Sequence, residues 1–197
     1  MKPTLLLFLA TLAIAGPACI PAADSAPQRE RLRERLAARA GDRIADAAPP
    51  AKRLARGARI TAPGRYEIRL RHDGRDRMAL VHVPRAFDAD TSMPLVMALH
   101  GGGGSAAYQA DDGRYGLITK SEEAGFIAVF PNGIAPSRSG MLATWNAGAC
   151  CGRARDEKVD DVGFLRAVLA DVKRRLRVDA QRVYAIGMAN GAMRAYR

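Results

Sequence analysis

The stretch Ala185-Ile186-Gly187-Met188-Ala189-Asn190-Gly191 constrains this chain more than any other. It follows Arg182-Val183-Tyr184, which reads as a short buried strand, and precedes Ala192-Met193-Arg194-Ala195-Tyr196, which reads as the start of a helix. A strand, a tight turn flanked by glycines and a helix make the layout written G-x-S-x-G, in which a strained turn presents a serine hydroxyl. The glycines have a physical purpose: only small neighbours let strand and helix close on a residue held in an unfavourable backbone conformation. The middle residue here is Ala189, where the pattern requires serine. A methyl group cannot attack a carbonyl. The same glycine spacing also serves ordinary strand-to-helix turns, so the other stretches must decide.

The 197 residues suffice for one domain, and 48% hydrophobic residues allow a packed core. The net charge of +11 would suit a binder of nucleic acid or of an anionic surface. Its distribution points elsewhere: residues 28–59 hold ten Lys or Arg against four Asp or Glu, more than half of the excess. No aromatic residue interleaves with that run, so nucleic acid is not an expected partner.

Met1-Lys2, the apolar run Leu5–Ala15 and the small residues that follow read as a secretory signal peptide over residues 1–23. The run is shorter than the ~20 residues of a membrane span. The mature protein is expected outside the cytoplasm, secreted or periplasmic, with lipid attachment at Cys19 as the alternative. Residues 24–59 read as a basic tether. Gln28–Arg39 has high helix propensity with Glu/Arg pairs at helical spacing, and only Leu32 and Leu36 form an apolar stripe. That reads as a solvated helix, with weak contact to anionic membrane surfaces as the other reading. Ala47-Ala48-Pro49-Pro50 ends it.

Residues 60–197 form the expected domain. Tyr66–His72 alternates apolar and polar residues, Asp73-Gly74 signals a tight turn, and Met78–Val83 returns, giving an antiparallel hairpin. His72 and His82 in these strands read as surface or edge histidines, with no carboxylate at a useful spacing in sequence. Pro94–His100 is continuously apolar, as for a parallel strand covered on both faces. It runs into Gly101-Gly102-Gly103-Gly104-Ser105. A glycine loop after a buried strand can bring backbone N–H groups against a developing oxyanion, because no Cβ blocks the approach. A phosphate cradle is disfavoured, since no Gly-Lys-Ser/Thr follows.

A helix over 114–124, ended by Gly125, and a strand over Phe126–Phe130 complete a βαβ unit. Residues 134–158 show no periodicity and hold Trp145, Cys150 and Cys151. In an oxidising compartment the two cysteines either bond to each other or each pair elsewhere; zinc is a poor reading, and no metal or cofactor is expected. Val159-Asp160-Asp161 starts a helix with an aspartate as its N-cap and an apolar face of Phe164, Leu165, Val168, Leu169, Val172 and Leu176. Arg182–Ile186 is the next strand. The order is that of the α/β-hydrolase fold: an N-terminal antiparallel hairpin, then a parallel βαβ sheet, here truncated after the nucleophile-elbow strand.

Together, His100-Gly101-Gly102-Gly103-Gly104, Phe130-Pro131-Asn132-Gly133, Thr144-Trp145-Asn146-Ala147-Gly148 with Cys150-Cys151-Gly152, Asp160-Asp161-Val162-Gly163-Phe164 and Gly187-Met188-x-Asn190-Gly191 resemble secreted poly(3-hydroxybutyrate) depolymerase-like esterases, relatives of feruloyl and acetylxylan esterases. The resemblance covers roughly residues 62–197. It implies a carboxylic ester hydrolase working through an acyl-enzyme on a polyhydroxyalkanoate, phenolic or acetyl ester. It places the serine nucleophile at the position of Ala189 and the oxyanion hole at the N–H groups of Asn190 and of Gly101 or Gly102. His100 and Trp145 are expected in the substrate cleft. The triad acid and histidine follow the elbow in such enzymes, and this chain has no histidine beyond His100. The expectation is a truncated, inactive member or, alternatively, a binding protein that kept the cleft without the chemistry.

Overall fold

The computed structural model describes residues 50–196 and, before them, Glu30 alone. The signal segment and the tether helix over 28–39 lie outside the described residues, Glu30 apart.

Six strands form one sheet: β1 (Lys52–Arg53), β2 (Gly64–His72), β3 (Arg75–Val83), β4 (Met93–Leu99), β5 (Ile127–Pro131) and β6 (Val178–Gly187), in the order β1-β2-β3-β5-β4-β6. β2, β3 and β5 run antiparallel in turn, and β5, β4 and β6 run parallel. The β2–β3 hairpin turns at Asp73 and Gly74, whose φ of 48° and 69° suit the mirror-image turn that matches strand twist. Its register pairs His72 with Arg75 and Gly64 with Val83, so both strands run longer than the alternation alone marks.

The helix expected over 114–124 is two helices. Helix α1 (Ala106–Gln109) precedes them, followed by α2 (Asp112–Tyr115) and α3 (Leu117–Ala124). Gly116 separates α2 from α3 at φ 62°, and the Asp112 carboxylate accepts the N–H groups of Ile118 and Thr119 at the start of α3. Helix α4 spans Gly152–Asp156, α5 spans Asp161–Arg175 and α6 spans Asn190–Ala195. The Asp160 side chain caps α5 by accepting from Gly163 N–H at 2.9 Å.

Two apolar layers sandwich the sheet. Phe164, Val168 and Val172 of α5, with Leu176 at its C-cap, pack with Ile68, Val81, Leu95, Val129 and Trp145. The other layer is smaller and joins Ala106 and Ala110 to Ala98, Ala128 and Phe130.

Two expectations need correction. Residues 52–59, assigned to the tether, belong to the folded unit: β1 pairs with β2, and the Arg175 guanidinium donates to the carbonyls of Ala55 and Ala58. Arg182-Val183-Tyr184, read as buried, lies on an open strand. Among the described residues β6 pairs with β4 alone, and Tyr184 is 54% exposed and Ile186 41%.

Candidate active site

Strand β6 delivers Gly187 to the end of the sheet beside the last residues of β4, where Met188 N–H donates to Leu99 C=O at 3.1 Å. The chain then reverses into α6 through Ala189, whose φ of 48° and ψ of −122° lie where side chains are strained. Both flanking glycines are required by contact. A Cβ on Gly187 would come within 2.5 Å of Gly191 backbone, and one on Gly191 would meet the carbonyls of Leu99 and His100. The turn expected from sequence is therefore built, with a methyl at its apex.

The glycine loop lies across from it. A Cβ on Gly101 would sit 3.6 Å from that of Ala189, and one on Gly102 would sit 3.5 Å from Nδ2 of the Asn190 side chain. Among the described residues the N–H groups of Gly101, Gly102 and Asn190 donate to no protein acceptor. Gly101, Gly102 and Asn190 are thus brought to one place around Ala189. The loop itself is anchored: Gly103 N–H donates to Ala143 C=O, and Ala143 N–H to Gly104 C=O, each at 2.9 Å. Asn132 accepts the first amide of α1, that of Ala106, at 2.6 Å and donates to Gly140 C=O at 3.0 Å.

His100 and Trp145 do not line a cleft. Both are fully buried, which excludes contact with a substrate. They are joinery beneath the glycine loop. The Trp145 indole N–H donates to His100 C=O at 2.9 Å, and the two rings meet at a tilt of 34° with centroids 4.9 Å apart. His100 donates from Nδ1 to Gly101 C=O at 2.8 Å and accepts Gly133 N–H on Nε2 at 2.9 Å. Those roles fix a neutral imidazole. Burial drives its pKa below the ordinary value, against the opposing pull of the Gly101 bond and the Asp161 charge.

The floor of the corner holds a buried ion pair that sequence reading missed. Arg77 of β3 donates to Asp161 at 2.8 Å and to Asn132 C=O at 3.2 Å, and its guanidinium lies 3.7 Å over the Phe164 ring. The other Asp161 oxygen accepts Asn146 N–H at 2.7 Å. The doubled acid at Asp160-Asp161, one capping the helix and one turned inward, was the available signal.

His72 and His82 do have carboxylate partners, contrary to expectation. His72 meets Asp160 at 3.0 Å, and His82 meets Glu122 at 2.9 Å. Neither touches Ala189, so no imidazole serves the elbow among the described residues. Cys150 and Cys151 are bonded to each other, and Cys150 C=O accepts Ala147 N–H. Among the described residues no cluster of His, Cys, Asp or Glu could hold a metal ion.

No family model matches the chain. It is 34% identical over 125 residues to NocK of Nocardia uniformis subsp. tsuyamanensis, a protein assigned as an esterase; the match spans 63% of this chain and 34% of NocK. It is 30% identical over 115 residues to feruloyl esterase B of Piromyces equi, spanning 58% of this chain and 20% of that enzyme. A bifunctional acetylxylan esterase/xylanase of Neocallimastix patriciarum matches at 27% over 123 residues, 62% of this chain and 15% of the relative. The chain therefore spans about a third or less of the length of these curated relatives. Among solved structures, a pOPH variant in complex with DMSO superposes with a TM-score of 0.54 at 14% identity, over 73% of this chain and 47% of its own. Native sOPH does so with a TM-score of 0.51 at 20% identity, over 71% and 47%. The chain has an α/β-hydrolase fold and its homologues are esterases.

Proposed function

We propose that this chain carries the oxyanion corner of a secreted carboxylic ester hydrolase of the poly(3-hydroxybutyrate) depolymerase-like group, and that Ala189 leaves it unable to form an acyl-enzyme. The observation that supports this reading is the elbow. Ala189 keeps the strained φ and ψ of a presented nucleophile, opposite free N–H groups of Gly102 and Asn190, and offers only a methyl. Donors placed for a developing oxyanion are useful only if something attacks the carbonyl, and the Ala189 methyl cannot. The substrates implied are polyhydroxyalkanoate, phenolic or acetyl esters, encountered outside the cytoplasm after export through residues 1–23.

The purified chain is expected not to hydrolyse p-nitrophenyl acetate above background and not to react with a fluorophosphonate probe. Ala189→Ser alone is expected to stay silent, because His72, His82 and His100 are committed to other partners. Labelling of the unmutated chain at a defined serine would overturn the reading.

The retained corner also supports a second reading, binding without turnover. A short-chain carboxylate would then occupy the free N–H groups. Amide shifts of Gly102 and Asn190 on titration with butyrate would support that reading, and their absence would remove it.

A further inference from the structure

We propose that His100 is a positioning residue: its bare Nε2 ties the glycine loop to the Phe130–Gly133 turn, and this tie holds Gly101 and Gly102 in place. The functional meaning rests on reading those glycines as oxyanion donors. The tie itself stands on geometry and can be measured without any substrate.

Three loops meet at this one residue. The turn after β5 donates Gly133 N–H to Nε2, the loop carrying Trp145 donates an indole N–H to the His100 carbonyl, and the glycine loop accepts from Nδ1 through Gly101. Gly133 is pressed into the junction, since a Cβ there would lie 2.5 Å from Thr144 C=O and 3.2 Å from His100 Cε1. Buried as it is, Gly133 N–H has no water to turn to if Nε2 is lost. Nor can the glycine loop yield alone, because Gly103 and Gly104 are bonded to Ala143, two residues before Trp145. The residue must present an acceptor at the far side of the ring and a donor at the near side. Neutral imidazole does both; Gln reaches only the far position, and Asn only the near one.

The two partial mimics separate the bonds. Hydrogen exchange is read on the full chain by NMR at Gly133 and Gly103, with Val129 and Val168 as core references. His100→Gln, which restores an acceptor near Nε2, is expected to keep both glycine amides close to the wild-type rate. His100→Asn keeps only the bond to Gly101 and is expected to speed exchange at Gly133 and at Gly103 by roughly tenfold, the worth of about one lost hydrogen bond. The core amides should not move. The proposal fails if Gly103 stays protected in His100→Asn, or if His100→Gln exchanges as fast as His100→Asn. Should either variant not fold, the imidazole nitrogen spectrum of the wild-type chain decides. A proton on Nδ1 with Nε2 bare supports the tie. A proton on Nε2 overturns it, because Gly133 N–H would then have no acceptor.

Discussion

The two sides of strand β6 are built on opposite terms. Toward β4, its end joins a corner made almost wholly of backbone: Gly187 and Gly191 in contact, Gly101 and Gly102 facing Ala189, His100 and Trp145 buried beneath. Along its other edge the strand pairs with nothing among the described residues, and its Tyr184 and Ile186 are exposed. Close packing makes the corner intolerant, since any added atom must displace backbone. The open side has few contacts to lose.

Substitutions can break that contrast. The largest effect is expected beneath the corner. Asp161→Ala leaves Arg77 as an uncompensated charge among buried groups, and should lower the free energy of unfolding in urea by about 3–5 kcal/mol. A loss no larger than that of an exposed pair would show that water reaches the site. Next comes Gly191→Ala, expected to destabilise by roughly 3 kcal/mol because the new methyl meets the carbonyls of Leu99 and His100. Gly103→Ala is its control. That residue has φ 79° but nothing within 4 Å of an added Cβ, so only backbone strain of about 1 kcal/mol is expected.

Acid should loosen the corner too. His100 and His82 are both held below the ordinary value of 6.5, chiefly by burial. The folded state therefore resists protonation that the unfolded chain accepts. The contribution is complete above about pH 6.5 and is lost as pH falls through the lowered folded-state values. Urea midpoints should fall on acidification from pH 7 toward pH 5, and less so in His100→Gln, which removes one of the two titrations. A flat profile over that range would contradict the buried neutral imidazole.

What the sequence made legible was local. Asp73-Gly74 set the hairpin, an aspartate of the Asp160-Asp161 pair the helix cap, and Gly187 and Gly191 the elbow, because each acts on backbone within a few residues of itself. The site residues that sequence misread are those whose role is set across the fold. His100 looked like a cleft residue because it adjoins the glycines, yet its Nε2 partner lies 33 residues on. His72 and His82 found carboxylates 88 and 40 residues away. Burial of β6 failed for a related reason: an apolar pattern states what a strand can bury, while coverage depends on which elements lie beside it.

At the elbow, Ala189→Gly should raise stability by about 1 kcal/mol, against the usual direction for such a change. Glycine adopts φ 48° without the Cβ penalty, and Ala189 is not in a helix interior where glycine would be unfavourable. A loss of stability would mean that the methyl contributes packing against Gly101 worth more than the strain it bears.

The smallest effect belongs to the open side and completes the contrast. Tyr184 belongs to neither apolar layer and is 54% exposed. Tyr184→Thr keeps a residue suited to extended backbone and removes a ring that buries little, so the unfolding free energy should move by no more than about 0.5 kcal/mol. The ring does add apolar surface beside an unpaired edge, where strands of separate molecules can meet. The same substitution is therefore expected to raise the concentration at which the chain begins to self-associate in light scattering, with its urea midpoint unchanged. If Tyr184→Thr instead destabilised the chain as much as Gly191→Ala, the outer side of β6 would be packed in solution, and the two sides of the strand would not differ as the structure has them.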